Sequence, residues 1–240
     1  MLVGIVGSAP SPNLEVLRRC DVVFFANAAV HLRSVLEEGK HIWVLSTPIL
    51  QLSQRTPEME ARRADVCGAS VDELITVTRM NQASVASSLE ALSITASRIV
   101  PISPREKQRC TKRAIGPLLS IEALLKGGPF WKAVRYAGLG FIPVARRSRG
   151  SLPHALRPST GVFAVLLALQ LFGEATEHHV TGVSVDQADY EFSGGVRPGA
   201  QRGHMPADLL ALRRAARRRP TLTCSDPDLA KRTGIKLTYA

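Results

Sequence analysis

The most constraining stretch of this chain is residues 157–173, Arg-Pro-Ser-Thr-Gly-Val-Phe-Ala-Val-Leu-Leu-Ala-Leu-Gln-Leu-Phe-Gly, in which no charge interrupts the body from Gly161 to Gly173. Ser159 or Thr160 can cap its start, Leu and Ala favour a helix through its interior, and Gly173 stands where a left-handed residue would close it. A helix apolar on every side has to be covered on every side, so it belongs on a sheet inside a larger core. The body is well short of the about 20 residues that cross a bilayer. The β-branched run His179-Val-Thr-Gly-Val-Ser-Val185 follows and reads as a strand. The local order is polar loop, helix, strand, and the free N–H groups at such a helix start favour an anion in front of them.

A chain of 240 residues, 45% of them hydrophobic, can bury that helix in one large α/β domain. Aromatic residues are only 5% of the chain, which leaves few platforms for stacking nucleic-acid bases. Charge is uneven: residues 1–100 hold 9 Lys and Arg against 10 Asp and Glu, and residues 101–240 hold 22 against 10. That excess admits nucleic acid, anionic lipid and phosphorylated or acidic substrates as partners without choosing among them. Cys20, Cys67, Cys110 and Cys224 are widely spaced and lack the partner residues of a metal site, so free buried thiols in a reducing compartment are expected. The start, Met-Leu-Val-Gly-Ile-Val-Gly, lacks the positive region of a signal peptide, and a cytoplasmic protein without a membrane span is expected.

From the start, Leu2–Val6 reads as a strand, Gly7-Ser-Ala-Pro-Ser11 as a tight loop, 13–19 as a helix and Asp21–Phe25 as a second strand ending at Ala26-Asn27. This is the opening of a nucleotide-binding βαβ unit, although the loop has neither GxGxxG nor GK[ST]. A helix over 31–38, strands over 41–45, 73–78 and 98–102, and a helix over 84–93 continue the alternation, with Ser103-Pro104 closing the last strand. The expected fold is α/β, a single Rossmann-like domain over 1–240 with a mainly parallel sheet and helices on both faces. A basic helical insertion is expected at about 105–153, with helices over 114–126 and 131–137, and a short flexible Gly-rich lid at about 186–203. A basic helix over 206–218, a short strand over 221–224 and a turn capped by Asp226-Pro-Asp228 complete the chain.

His204, at the junction of that lid and the following helix, can titrate near neutral pH and act as a general base, or can be a solvated capping residue. Tyr190 can donate its hydroxyl to a phosphate or anchor the lid. Ser8, Asn27 and Thr47 each end an early strand, where they can read a base or sugar edge or serve as ordinary loop residues. His178-His179 reads as a strand start, because neighbouring strand side chains point to opposite faces. The run Arg213-Arg-Ala-Ala-Arg-Arg-Arg219 reads as a solvated helix face, with no motif of specific nucleic-acid recognition beside it.

The order of these motifs resembles bacterial sialyltransferases of glycosyltransferase family 42, the Campylobacter lipooligosaccharide type. Gly7-Ser-Ala-Pro-Ser11 is similar to the family's Gly-Asn-Gly-Pro-Ser, Asp21–Asn27 to its strand ending in Cys-Asn, and Thr47-Pro48 to its Asn-Pro. Arg157-Pro-Ser-Thr-Gly-Val162 and Thr181-Gly-Val-Ser184 resemble its Arg-Ile-Thr-Ser-Gly-Val and Ser-Gly-Ile-Asp. Tyr190 and Gly203-His204 are similar to its lid tyrosines and closing Gly-His.

The resemblance implies a GT-A-like domain and transfer of sialic acid, or a related sugar, from a CMP-activated donor to a glycan hydroxyl, with no metal or other cofactor. It implies His204 as base and Tyr190 at the leaving phosphate. Ser8, Ala9, Asn27, Thr47, Arg157, Ser159, Thr160, Gly161, Gly182 and Ser184 then surround the donor. The implied partners are the nucleotide-sugar donor and a glycan or lipid-linked glycan acceptor. Peripheral contact with an anionic membrane at the inner face and a homo-oligomer are admitted, and no specific nucleic acid is implied. Ser8, Thr47 and Asp186 stand where the family carries Asn, Asn and Tyr, which favours another nucleotide sugar as the alternative donor. A non-catalytic nucleotide or nucleic-acid binding protein is the alternative of a different class.

Overall fold

The computed structural model describes residues 1–9, 12–36, 38–116, 158–184 and 205–238. Eight strands form one sheet: β1 (Leu2–Val6), β2 (Val22–Ala26), β3 (Lys40–Ser46), β4 (Ser70–Val77), β5 (Thr95–Ile102), β6 (Glu177–Thr181), β7 (Leu222–Cys224) and β8 (Lys236–Leu237). Their spatial order is β5-β4-β3-β2-β1-β6-β7-β8, and every pairing is parallel. Parallel strands need crossovers, and a sheet covered on both faces asks for near-continuous apolar strands. Val22–Ala26, buried at every position, is such a strand. The sheet therefore grows outward from β1 in one direction through β5 and then, from β6, in the other. The α/β, Rossmann-like fold expected from the sequence is the observed one.

Described helices, numbered in chain order, are α1 (Leu14–Arg18), α2 (Thr47–Leu50), α3 (Pro57–Ala64), α4 (Gln82–Ala91), α5 (Pro104–Ile115), α6 (Thr160–Leu171), α7 (Met205–Arg218) and α8 (Pro227–Thr233). A 3-10 helix, Asn27–Val35, lies between β2 and β3. Two apolar clusters divide the sheet's faces. One gathers α5, α6, α7 and α8 on Val3, Ile5, Phe24 and Val44; the other gathers α1, the 3-10 helix and α2–α4 on Val23, Phe25, Trp43 and Leu45. The alternation of strand residues between the clusters is the period of two expected of a pleated strand.

The apolar stretch forms α6, buried without a break from Val162 to Leu169. On one side α6 lies on the sheet. On the other, α5 and α7 close over it and join each other through Arg218 Nη1, which donates to the Ala114 carbonyl at 3.0 Å. The Gln170 amide reaches the Cys110 carbonyl of α5, and the Lys107 ammonium stands 5.1 Å from the centre of the Phe163 ring. A third layer thus supplies the cover that an all-apolar helix requires.

Several boundaries differ from the expected ones. Gly173 does not close α6 in a left-handed turn: Phe172 is already extended, at φ −114° and ψ 125°, and its ring packs edge-on against Phe24 at 6.0 Å. In place of a helix over 31–38 there is the 3-10 helix, because Asn27 takes a left-handed φ of 51° and turns the chain tightly straight out of β2. Ser103-Pro104 opens a helix as well as ending a strand, since Ser103 and Glu106 form a reciprocal capping box with Pro104 in the first turn of α5. The strand expected over 179–185 lies at 177–181, stopped by Gly182 at φ 60°. Asp226 caps the full helix α8, which leads to an unexpected last strand, β8. All four cysteines are free; Cys20 and Cys224 are buried as expected, whereas Cys67 is exposed and Cys110 half-buried. Burial lifts the Cys20 thiol to about 12 and the Cys224 thiol to about 11, so both stay protonated. No helix among the described residues is long and apolar enough to cross a membrane. Of the helix expected over 114–126, residues 114 and 115 are instead the last of α5, which closes at Gly116; its remainder, the helix expected over 131–137 and the lid lie outside the described residues.

Candidate ligand site at the carboxyl edge of the sheet

Because every strand is parallel, all eight carboxyl ends lie along one edge, and strand order reverses there between β1 and β6. Ligands of open α/β sheets collect in the crevice at such a reversal. Here the two loops are joined at its floor: Gly7 N–H donates to the Thr181 carbonyl at 3.0 Å and Ala9 N–H to the Gly182 carbonyl at 2.7 Å. The approach leaves no room for side chains. A Cβ on Gly7 would lie 2.3 Å from the Gly182 oxygen, and one on Gly182 would lie 2.8 Å from the Gly7 oxygen.

The start of α6 meets this junction. A Cβ built on Gly161 would touch Val183 at 3.8 Å, and Val183 is also the side chain nearest to Gly7. Ser159 caps the helix, its hydroxyl accepting from Val162 N–H at 3.3 Å. Ser159's own N–H donates to the Asp208 carboxylate at 2.7 Å, and Asp208, in the first turn of α7, is only 1% exposed. The N–H groups of Thr160 and Gly161, too early in the helix for an intrahelical bond, have no acceptor among the described residues. The structure therefore gathers Ser8, Ala9, Ser159, Thr160, Gly161 and Gly182 around one point, with two backbone donors unspent and one carboxylate already resident. Ser184 follows within two residues of Gly182 and is half-buried.

Asn27 and Thr47 lie further along the same edge, and their side chains tie strand to strand. Ser8 Oγ donates to the Ala26 carbonyl at the end of β2, at 3.1 Å. Asn27 Oδ1 accepts from both the backbone N–H and the hydroxyl of Ser46, at 3.2 and 2.9 Å, while its carbonyl accepts from Trp43 Nε1 at 2.7 Å. Thr47 Oγ1 donates to the Val77 carbonyl at 2.8 Å. These residues step the edge from β1 across to β4, continuing the strand pairing where the backbone ladder stops. On the far side of the reversal Thr181 Oγ1 accepts from Asn13 N–H at 2.7 Å and from Ser225 Oγ at 3.0 Å, joining α1, β6 and the end of β7.

Arg157, Tyr190 and His204 lie outside the described residues. Asp208 went unnoticed in the sequence; its signal was an acid in the first turn of an otherwise basic helix, flanked by Ala207, Leu209 and Leu210. His178 and His179 are buried in β6 and held neutral: desolvation pulls both below the ordinary imidazole range, His179 to about 4. His179 Nδ1 lies 3.0 Å from Thr223 Oγ1, a hydrogen bond whose direction follows the imidazole tautomer. Among the described residues no group of His, Cys, Asp and Glu could hold a metal ion. Comparison of the chain with protein-family models, with curated proteins and with solved structures gave no match in any of the three.

Proposed function

We propose that the protein is a sialyltransferase-like glycosyltransferase whose CMP-activated donor sits at the reversal of strand order. The reading rests on one observation: two unspent N–H groups of α6, at Thr160 and Gly161, meet the Gly7–Gly182 junction at the carboxyl edge. A helix start of this kind stabilises the negative charge that grows on a departing phosphate. Asp208 already places one carboxylate at the same helix start, so a phosphate there needs a nearby cation, and Arg157, two residues before the N-cap, is the residue assigned to it.

In the proposed reaction His204 takes the proton of an acceptor hydroxyl as its oxygen bonds to the anomeric carbon of the donor sugar. The bond from that carbon to the phosphate oxygen breaks, and Tyr190 donates its hydroxyl to the leaving cytidine monophosphate. The products are the glycoside, cytidine monophosphate and protonated His204. The acceptor belongs to the class of glycans or lipid-linked glycans.

Calorimetric titration with cytidine monophosphate in metal-free buffer tests the donor site, and transfer by His204→Ala tests the base. Binding of cytidine but not uridine nucleotide is expected, with transfer by the variant reduced at least about a hundredfold and its nucleotide binding kept. No binding of either nucleotide sinks the reading, and full activity of His204→Ala removes the base. A second donor, another nucleotide-activated sugar, is favoured by Ser8 and Thr47, whose hydroxyl protons are given to the Ala26 and Val77 carbonyls. Tighter binding of uridine nucleotide in the same titration would select it.

A further inference from the structure

We propose that Ser46 is a positioning residue, which holds the Asn27 amide as a fixed pair of hydrogen-bond donors toward an acceptor oxygen of the nucleotide at the carboxyl edge. The inference rests on the nucleotide reading above. Chemistry assigns the two ends of that amide. Ser46 N–H can only donate, and it meets Asn27 Oδ1 at 3.2 Å, so the carbonyl oxygen is the end turned toward β3. Ser46 Oγ adds a second bond to the same oxygen at 2.9 Å. The nitrogen, with both of its protons, is thereby turned away from Ser46. Asn27 is half-buried, no described residue accepts from Nδ2, and Nδ2 is not among the buried polar atoms.

The neighbouring strand-end side chains do the opposite. Ser8 Oγ and Thr47 Oγ1 each donate their one proton to a strand carbonyl, Ala26 and Val77 respectively. Asn27 ties β2 to β3 by accepting, so of the three it is the side chain that keeps its protons. A group with only donors left selects an acceptor atom and rejects another donor, which would face it unpaired. Phosphate and sugar oxygens of a nucleotide supply such acceptors.

The turn by itself does not require these ties. Asn27 stands at φ 51°, in the left-handed region that Asn enters more readily than most residues. Ser93 takes nearly the same φ, 52°, in an exposed turn after α4, with no side-chain bond among the described residues. At Asn27 the backbone carbonyl also accepts from Nε1 of the wholly buried Trp43, at 2.7 Å. Three bonds from β3 thus fix the backbone and side chain of one half-buried residue. Sparsely populated conformations that are over-determined in this way cluster at ligand clamps. The place is also right: the bond from Ser8 to the Ala26 carbonyl brings the loop after β1 to the residue just before Asn27, so the amide borders the loop of the reversal.

The test is calorimetric titration of the full chain with cytidine monophosphate, comparing Ser46→Ala in two backgrounds, the wild type and Asn27→Gly. Glycine keeps the left-handed turn and removes the amide. Asn27→Gly alone should weaken binding about tenfold. Ser46→Ala should weaken it about fivefold in the wild-type background and less than about twofold when residue 27 is already Gly, because the hydroxyl acts through that amide. Ser46→Thr, which keeps the hydroxyl, should restore wild-type binding, and urea unfolding confirms that each variant is folded. Equal losses in the two backgrounds would make Ser46 a structural residue and overturn the proposal, as would unchanged binding in Asn27→Gly. A wild type that binds neither cytidine nor uridine nucleotide removes the nucleotide reading and this inference together. Nucleotide binding by the wild type that Ser46→Ala leaves unchanged removes this inference alone.

Discussion

On one side of the sheet a helix with eight consecutive buried residues lies beneath two cationic helices; on the other, short helices lie one deep and are fastened by polar ties. Arg63 is the best of those ties, only 8% exposed, with its guanidinium donating to the carbonyls of Ile49 and Gln51. Ser88 adds a bond to the Leu50 carbonyl at 2.8 Å. The difference teaches that the pattern of a segment sets the depth of its cover. A segment without a polar face is stabilised by burial all round, whereas amphipathic helices of four to ten residues, α2 to α4, gain little from packing alone and are positioned by hydrogen bonds.

The largest expected effect comes from hollowing the deep side. Phe163→Ala should cost about 4 kcal/mol in urea unfolding, because the ring is wholly buried in the cluster between sheet and helices, with Lys107 of α5 over it, and its surroundings cannot all settle into the cavity. Leu89→Ala in α4, whose outer side faces solvent, should cost about 2 kcal/mol. Equal costs would break the distinction between enclosed and one-deep packing.

Acid sharpens it next. His179 is neutral when folded, with its proton affinity lowered from 6.5 to about 4 by burial, so the unfolded chain binds more protons through that window. Its contribution is therefore whole above pH 6.5 and is lost as pH falls toward 4, on the order of 3 kcal/mol in all. His41 and His178, lowered for the same reason, act in the same direction. Thermal melting between pH 7 and pH 4 checks this, and His179→Leu should flatten the decline; an unchanged slope would mean that His179 is not the group responsible.

The smallest effect concerns the edge ties. Thr47→Val should cost about 1 kcal/mol by leaving the Val77 carbonyl short of a donor, and Thr47→Ser should restore it. Loss of nucleotide binding without loss of stability in Thr47→Val would instead make that hydroxyl a ligand contact.

Much of the fold was legible because its signals are local. The apolar runs at Leu2–Val6 and Val22–Ala26 and the charge-free body of α6 each determine an element with little help from elsewhere. What escaped depends on partners distant in sequence. Phe172 leaves the helix for Phe24, and Gly182 ends β6 because Gly7 lies against it. The capping box of α5 was visible as Ser-Pro-Arg-Glu, but the preceding strand also reads as ending in a Ser-Pro turn. At the candidate site the positions of Ser8, Asn27 and Thr47 at strand ends were legible, but their bonds to the next strand were not, since strand neighbours are set by topology. Asp208 reaches Ser159 across 49 residues, a pairing no spacing rule discloses.

The burial of α6 also bears on the order in which the chain can be made. Domains emerge from the ribosome amino end first, so β1–β5 and α5 are available when α6 appears, but α7 is not. Until residue 218 has cleared the exit tunnel, the outer side of an apolar helix has only half its cover. During synthesis the growing chain thus passes through an interval of exposed Val, Phe and Leu whose length is set by the distance from α6 to α7. Any lengthening of the segment between them extends the time for which a chaperone, or a neighbouring nascent chain, can take the place of α7.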